Sequence, residues 1–330
     1  MKRLIRIPED AELPLIGLVQ LGVVDRGTNL LQLRPITTCN LNCVFCSTDS
    51  GKFSKCRVSD YMIDLDYFLD GLKEIIKFKG KGIHAHIDTV GEPLTYPMFI
   101  DLISRLSEIE EFETVAFETN GTLLTEEIID ELNEVGLTRI NLSVHSLDDE
   151  LAKKLTSFKD YNVSRIIELI GYVTNTPIEL TLTPVWIPGM NDEEICKIIE
   201  FAKSTIKNKR FPILGIQKYE AHKFGRKPKG IKPISWWKFY RKLEGWEKQF
   251  KIKLRLSPKD FEVEKRRGLP RIFERGEKVK VEIKASGWLK NEMIGIAKDR
   301  CMTVVNCNAN PGEILKVKIL ENKHNLYIAR

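Results

Sequence analysis

From residue 30 to residue 217 the sequence alternates short β-rich runs with amphipathic segments of helical length, and few folds accommodate such a pattern. Six strands are predicted, at Leu30–Arg34, Ile83–Asp88, Thr114–Thr119, Arg139–Val144, Ile178–Thr183 and Ile213–Gln217. Apolar residues at spacings of three and four predict helices between them, at Leu65–Phe78, Pro97–Glu108, Glu126–Val135, Ser164–Val173 and Asp192–Ile206. Strand–helix repetition predicts a parallel sheet with right-handed crossovers. We therefore expect an α/β fold, an open partial (β/α)6 barrel.

The pattern changes after this region. An aromatic run opens a helix at Trp236 that continues to about Phe250, and core packing of these aromatics is favoured over base stacking. An edge strand at Ile252–Leu256 and a linker at Glu262–Arg271 follow. From Lys278 onward, five short alternating runs separated by turns predict a small closed all-β barrel. The expected divisions are an N-terminal extension (1–29), the partial barrel (30–217), a basic helix and linker region (218–270) and the small β-barrel (271–330).

The charge of the chain is unevenly distributed around a net value of +6. Residues 218–267 carry 17 Lys/Arg against 6 Asp/Glu, residues 271–330 carry 12 against 7, and residues 1–217 carry about −10. A basic C-terminal third favours a phosphate-bearing partner, and a solvated basic surface is the alternative. No apolar run approaches the roughly 20 residues of a membrane-spanning helix, and no signal-peptide region is evident. We expect a cytoplasmic protein without a membrane partner.

Three of the seven cysteines are crowded into eight residues. Cys39, Cys43 and Cys46 have the spacing C-x3-C-x2-C in the loop that leaves the first predicted strand. Three thiolates can bind three irons of a four-iron cluster and leave the fourth iron open to a substrate. A structural zinc site is the alternative, but it needs four protein ligands, and Cys56 is the only candidate for the fourth.

This cysteine string, with Phe45 before its third cysteine, resembles the cluster motif of the radical S-adenosylmethionine (SAM) superfamily, and the resemblance spans roughly residues 30–217. It implies a [4Fe–4S] cluster on Cys39, Cys43 and Cys46, with the open iron chelated by the methionine part of SAM. An electron delivered by a donor such as ferredoxin or flavodoxin would then give methionine and a 5′-deoxyadenosyl radical. The strings at 15–30, 87–97 and 215–228 resemble a largely archaeal group of iron–sulfur oxidoreductases within this superfamily.

Further strings at the ends of predicted strands fall where that family binds SAM. Gly91 permits close backbone approach, and in the GGE-type motif that its string resembles, Glu92 or neighbouring carbonyls accept from the methionine ammonium. The residues closing the next strands offer amide and hydroxyl groups to the ribose and carboxylate, and the loop after the fifth strand faces the adenine. Each string alone also fits a common turn or cap. The predicted cofactor contacts are Gly91, Glu92, Asn120, Ser143, Pro184 and Gln217.

Two residues are candidates for catalytic roles. His145 follows the fourth strand and is a candidate acid or base, although a lone histidine is more often structural. Cys56 lies just beyond the cluster motif, where it is either a functional thiol or a small buried residue. After the sixth strand, a basic loop is expected either to grip substrate phosphate or to be merely solvated; its candidates are Lys223, Arg226 and Lys227.

The last 60 residues resemble a TRAM domain, on the strings Gly276–Val281, Gly287-Trp288 and Pro311–Glu313. TRAM domains occur on several tRNA-modifying enzymes, so the resemblance implies RNA binding. The leading hypothesis is therefore a radical SAM enzyme that modifies a nucleoside in tRNA. Its preferred reaction is carbon methylation or ring remodelling of a hypermodified purine, such as a wyosine-type guanosine derivative. The alternatives are a radical SAM maturase acting on a peptide or protein and a non-catalytic iron–sulfur RNA-binding redox sensor.

Overall fold

The computed structural model of this chain describes residues 2–330. Up to residue 250 the elements are β1 (Arg3–Ile7), β2 (Gly22–Asp25), β3 (Leu30–Arg34), β4 (Ser59–Ile63), α1 (Leu65–Lys79), β5 (Ile83–Ile87), α2 (Phe99–Ser107), β6 (Phe112–Thr119), α3 (Glu126–Glu134), β7 (Arg139–Leu142), α4 (Asp149–Thr156), α5 (Val163–Val173), β8 (Glu179–Leu182), β9 (Val185–Trp186), α6 (Asp192–Thr205), β10 (Gln217–Lys218) and α7 (Trp236–Phe250). Within residues 2–330, every helix is too short or too polar to cross a membrane.

The central feature is a six-stranded sheet of order β2-β3-β5-β6-β7-β8. Strands β3, β5, β6, β7 and β8 run parallel, as the alternating pattern predicts, and β2 pairs antiparallel with β3. Polar residues interrupt the apolar ones along its strands, and Leu31, Phe117 and Ile140 are completely buried. Because the five parallel strands end at the same edge, the loops that follow them gather there.

Four local features differ from the sequence expectation. The sixth predicted strand is reduced to a bridge between Leu214 and Leu182 and to β10, which pairs in parallel with β9. Strand β2 lies inside the predicted N-terminal extension, and helix α4 has only eight residues, too few for a clear apolar period. The predicted edge strand 252–256 is wrong, because the amides of Leu254 and Arg255 donate to the Glu247 carboxylate instead of to a neighbouring strand.

The C-terminal residues form a closed five-stranded barrel of order β11-β12-β13-β15-β14, which agrees with the expected small all-β domain. Its strands are β11 (Lys278–Ser286), β12 (Glu292–Ala297), β13 (Arg300–Val305), β14 (Ile314–Glu321) and β15 (Ile328–Ala329). Inward-facing residues such as Val281, Ile283, Met302 and Ile319 form its core. Alternation along each strand therefore places apolar side chains inside and polar ones outside.

The barrel packs on two segments near the N-terminus of the chain. The Cys301 amide donates to Ile16 O (2.8 Å), and the Tyr327 amide donates to Gly17 O (2.9 Å). Gly17 has a φ of +131°, and a Cβ there would lie 1.8 Å from Cys301 O, so only glycine allows this approach. Around β4, the Tyr61 hydroxyl donates to Ser286 O (2.8 Å). Residues 12–17 and 57–61 thus form the seat of the barrel.

Candidate functional site

A cavity of about 470 Å³ opens at the edge where the parallel strands end. Each loop that follows a strand contributes to its lining, as expected for a sheet of this topology. Among the predicted site residues, those in the lining are Cys39, Cys43, Cys46, Gly91, Glu92, Asn120, Ser143, His145 and Gln217. Those outside the lining are Cys56, Pro184, Lys223, Arg226 and Lys227. A larger depression of about 590 Å³ is lined by residues of α1, of α2 and of the loops that follow them, and it includes no residue of the motifs.

The three motif cysteines share the inner end of this cavity. Burial raises the pKa of the Cys39 thiol to about 12, and the nearby Glu92 carboxylate adds to the rise. Burial and the other two cysteines raise the pKa of Cys43 well above its usual range. In residues 2–330, no three His, Cys, Asp or Glu side chains converge on a single metal ion. A four-iron cluster takes one thiolate per iron, and its positive irons offset the crowding of three thiolates, so this donor set fits such a cluster.

Arg226 holds the cysteine loop from outside. Its Nε donates to Cys43 O (2.6 Å), its Nη1 to Asp49 Oδ1 (2.8 Å) and its Nη2 to Ser50 O (2.6 Å), while its amide donates to Cys46 O (2.8 Å). The sequence places Arg226 among the phosphate ligands, but each of these guanidinium nitrogens is already committed to the loop. Its charge therefore stabilises the cluster-binding loop.

Arg57 holds the same loop from the protein interior, and the sequence analysis missed it. Its fully buried guanidinium donates to three backbone carbonyls, at Thr37 (2.8 Å), Thr48 (2.7 Å) and Val90 (2.5 Å). Thr37 and Thr48 flank the cysteines, and Val90 precedes the glycine of the next motif. Arg57 thus joins the cysteine loop to the loop after β5. A single arginine in a loop carries no sequence signal for such a role.

Cys56, next to this arginine, helps to hold the cysteine loop in place through its backbone. Its amide donates to Asp49 Oδ2 (2.8 Å), and burial, followed by the charge of Asp49, raises the pKa of its thiol. A thiol with a raised pKa outside the cavity is a poor nucleophile. The remaining cysteines also lie outside the cavity lining, at Cys196, Cys301 and Cys307.

Gly91 and Glu92 connect the loop after β5 to its neighbours on both sides. A Cβ on Gly91 would lie 2.0 Å from Thr38 O, so glycine is required for this backbone contact. Glu92 is 1% exposed. Its carboxylate accepts hydrogen bonds from the Thr119 hydroxyl (2.7 Å), the Asn120 amide (2.8 Å) and the Leu94 amide (3.2 Å). Burial raises its pKa to about 7. The Glu92 carboxylate is thus occupied by the protein, so carbonyls beside it are the better acceptors for an ammonium.

Polar side chains from the next three strands form the middle of the cavity. Asn120 is oriented by Asn40, whose Oδ1 accepts from Asn120 Nδ2 (3.0 Å). Ser143 donates to the carboxylate of Glu118 (3.4 Å), which also accepts from Gln217 Nε2 (3.2 Å). Burial, followed by the negative charge of Asp88, raises the pKa of Glu118. Glu118 is the penultimate residue of the predicted strand Thr114–Thr119, and its half-buried side chain lines the cavity, a position that no sequence motif indicates.

His145 lies beside the cysteine loop in a neutral form. Its Nδ1 accepts from the Val185 amide (3.1 Å), which leaves the proton on Nε2. Its ring meets the edge of Phe45 at a centroid distance of 4.8 Å. Burial lowers its pKa to about 4, so at neutral pH it offers an uncharged N–H donor rather than an acid.

The outer end of the cavity begins with the residues around β10. Lys218 Nζ pairs with Glu220 Oε1 (2.7 Å) and lies 5.0 Å above the Trp236 ring. The Tyr219 hydroxyl is buried and has no hydrogen-bond partner within residues 2–330. Pro184 lies behind this wall, where its carbonyl accepts from the Gln217 amide (2.8 Å). The outer end therefore presents the Lys218–Glu220 ion pair to a ligand that enters the cavity.

Comparison with known proteins identifies relatives of this chain. Residues 33–202 match the family model described as the radical SAM superfamily. The uncharacterized protein MJ0103 of Methanocaldococcus jannaschii is 41% identical over 339 residues, covering 96% of this chain and 78% of that protein. A GTP 3′,8-cyclase of Aquifex aeolicus is 29% identical over 185 residues, so this chain spans 56% of its length. A radical SAM methyltransferase structure from Sphaerobacter thermophilus shares the fold, with TM-score 0.53 and 16% identity over 69% of this chain and 65% of that one.

Proposed function

This chain belongs to the radical SAM superfamily, and we propose that it modifies a nucleoside in tRNA. Its cofactors are a [4Fe–4S] cluster and SAM, and it requires a one-electron reductant. When bound, these cofactors supply a 5′-deoxyadenosyl radical by reductive cleavage of a carbon–sulfur bond in SAM. We propose ferredoxin or flavodoxin as the reductant. The substrate and the reaction are inferred from the residues that surround the cavity.

In this proposal the chain's own residues first fix the cofactor site. Cys39, Cys43 and Cys46 hold the cluster, in a loop that Arg57 and Arg226 attach to the rest of the protein. Carbonyls beside Gly91 accept from the methionine ammonium, and Asn120 and Ser143 contact the ribose and carboxylate. His145 donates from Nε2 without carrying charge at neutral pH. Because these groups are held by hydrogen bonds within the protein, they need little reorganisation when ligands bind.

The RNA substrate is inferred from the continuity between the cavity and the basic region. Residues 217–222 line the outer cavity, and the segment 218–267, which they open, has a net charge of +11. A cavity mouth on such a segment favours a substrate embedded in a polyanion. The small β-barrel after it, which we propose to be a TRAM domain, supplies a further RNA-binding surface. A duplex or stacked base would have to be extruded to enter the cavity.

The proposed reaction is carbon methylation or ring remodelling of a hypermodified purine such as a wyosine-type guanosine. The related cyclase acts, by its name, on a purine nucleotide, which supports a purine ring over an amino-acid side chain. Cys56, Cys196, Cys301 and Cys307 lie outside the cavity lining, so methyl transfer through a cysteine carrier is disfavoured and a direct route is preferred. Glu118, which lines the cavity and has a raised pKa, is a candidate to exchange a proton with the substrate.

The test is an anaerobic assay of SAM cleavage. The cluster-reconstituted full chain is reduced with dithionite in the presence of SAM and of bulk tRNA from a strain that lacks this gene. We expect 5′-deoxyadenosine whose formation increases with that tRNA, together with a nucleoside of new mass in the digested tRNA. Cys43→Ala is expected to abolish both products, whereas the matched control Cys196→Ala, on α6 outside the cavity, is expected to retain them.

Other outcomes separate the alternatives. Cleavage that tRNA leaves unchanged, but that a peptide pool increases, would replace the tRNA substrate with a peptide and make the chain a maturase. Tight RNA binding by a cluster-replete chain that never cleaves SAM would favour a redox sensor. Either result would contradict the proposed reaction, and the nucleoside mass identifies the modification if the proposal holds.

A further inference from the structure

The first turns of α7 expose three aromatic rings beside the active-site cavity. Trp236, Trp237 and Tyr240 are 54%, 63% and 45% exposed. On the other side of the same helix, Phe239 and Trp246 are buried in the core. Core packing, which the sequence analysis favoured for the whole aromatic run, therefore accounts for only part of it. Trp236 and Tyr240 each meet the buried Phe239 ring along one edge and leave much of their surface to solvent.

Two cations complete this surface. Lys218 Nζ lies 5.0 Å from the centroid of the Trp236 ring, and the Arg241 guanidinium lies 5.0 Å from that of Trp237. The Trp236 and Tyr240 rings stack at 5.8 Å with an interplanar angle of 28°. We call these five residues the aromatic surface. Since Lys218 also lines the cavity, the aromatic surface reaches the cavity mouth.

The surrounding charge is mainly positive: the nearby acidic groups are Glu220, which pairs with Lys218 (2.7 Å), and Glu244, which shares a surface depression with Trp237 and Tyr240. The 23 residues from Ala221 to Leu243 include no Asp or Glu, and their basic residues are Lys223, Arg226, Lys227, Lys229, Lys232, Lys238, Arg241 and Lys242. Arg226 is committed to the cysteine loop, and the others are available to a polyanion. Aromatic rings interleaved with cations are the elements that bind single-stranded nucleic acid, because each base can stack on a ring while its phosphate meets a cation.

We propose that the aromatic surface stacks unpaired bases of the RNA strand adjacent to the nucleotide that enters the cavity. This inference rests on the proposed function and adds where, and in what form, the RNA is held. It requires a single-stranded loop or end, since a paired base has both faces covered by its neighbours. Stacking on α7 leads the strand past Lys218 towards the cavity mouth.

The experiment measures binding by the anaerobic, cluster-reconstituted full chain. A fluorescein-labelled single-stranded oligouridylate and a tRNA lacking the modification are titrated at several salt concentrations, with anisotropy as the readout. We expect Trp237→Ala to weaken oligouridylate binding about tenfold at every salt concentration, because one stacking ring is lost. The slope of log Kd against log salt should not change, since no cation is removed. Arg241→Ala should reduce that slope by about 0.7 as one phosphate contact disappears.

Met98→Ala is the matched control, because Met98 is an apolar residue, 43% exposed, at the start of α2 and outside the cavity lining, the basic segment and the C-terminal barrel. It is expected to bind both RNAs as the wild type does. The thermal midpoint of each variant confirms that it is folded. The same Trp237→Ala protein should show a higher KM for tRNA in the modification assay while forming the same product.

Three results would overturn the inference. Unchanged oligouridylate affinity in Trp237→Ala and in a Trp236→Ala/Tyr240→Ala variant, with tRNA still modified by the wild type, would remove the aromatic surface and leave the proposed function standing. If Trp237→Ala bound both RNAs as the wild type does but no longer bound phosphatidylserine vesicles that the wild type binds, the aromatic surface would be a membrane contact. A wild type that neither binds nor modifies RNA would overturn both the inference and the proposed function.

Discussion

At Gly91 the backbone of the loop after β5 touches the backbone of the cysteine loop. A Cβ there would lie 2.0 Å from Thr38 O, and backbone atoms cannot rotate away as a side chain can. We expect Gly91→Ala to destabilise the chain by about 1–3 kcal/mol through overpacking, and to weaken SAM binding because the two loops separate. Chemical denaturation and equilibrium dialysis of SAM measure the two effects. Gly171→Ala in α5 is the matched control: its Cβ meets no atom within 4 Å, and alanine favours the helix by up to about 1 kcal/mol.

His145 predicts a dependence of stability on pH. Its folded pKa is about 4, below the ordinary 6.5, so between these values the unfolded chain binds more protons than the folded one. Stability from this group is therefore fully present above pH 6.5 and is lost as the pH falls towards 4, by up to about 3 kcal/mol. His145→Asn keeps an acceptor for the Val185 amide but does not titrate. Denaturation midpoints measured across this range should fall less steeply for His145→Asn; an equal slope would assign the loss to other groups.

The residues that sequence alone can identify are those whose chemistry depends on spacing. Three cysteines at C-x3-C-x2-C are sufficient to predict a cluster site, because thiolate number and proximity decide what they bind. The role of Arg57 and Arg226 in holding this loop could not be identified, because most of their partners are backbone carbonyls, which every residue has. Arg226 was interpreted from its basic neighbours, yet its environment in the fold is the cysteine loop.

At the level of elements, the strands that carry the site were predictable because each is a short β-rich run that alternates with a segment of helical periodicity. β2 was missed since its apolar run is only four residues long and stands outside the strand–helix alternation. Residues 252–256 have the composition of a strand but find the Glu247 carboxylate as their partner. Such long-range or side-chain partners leave no periodic trace, so element type is predictable where burial sets the pattern and fails where one hydrogen bond decides it.

The cysteine loop itself is an element held from two sides, and this predicts the effect of loosening one side. Arg226→Lys keeps the charge but cannot reproduce three bonds from a planar guanidinium. We expect about a tenfold loss in cluster affinity or activity, as for other residues that orient metal ligands. Iron and sulfide content after reconstitution, with EPR of the reduced protein, measures it. Lys227→Ala, the adjacent basic residue outside the cavity, should keep a full cluster, and an equal loss in both variants would point to general charge instead.

For the whole molecule, the C-terminal barrel is part of the support of the active site. The Trp288 ring lies 4.5 Å from the guanidinium of Arg57, and its carbonyl accepts from the Val58 amide (3.0 Å). Arg57 in turn holds the cysteine loop. The C-terminal barrel thus contacts, through one tryptophan, the arginine that holds the cysteine loop. The two parts are not independent modules on a flexible linker, because Tyr61 and residues 12–17 also pack against the barrel.

This arrangement predicts that a barrel mutation affects the cluster. Trp288→Ala removes the ring that packs on Arg57, and we expect it to lower the free energy of unfolding by about 2–4 kcal/mol. The cluster content after reconstitution should also fall, because Arg57 is then less firmly held against Thr37, Thr48 and Val90. Ile314→Ala, on the exposed side of the same barrel, should change stability by less than about 0.5 kcal/mol and retain full iron. If Trp288→Ala is destabilised but keeps the iron content of the wild type, the barrel supports only the fold. If the variant loses iron under conditions where it remains folded, the barrel stabilises the cysteine loop.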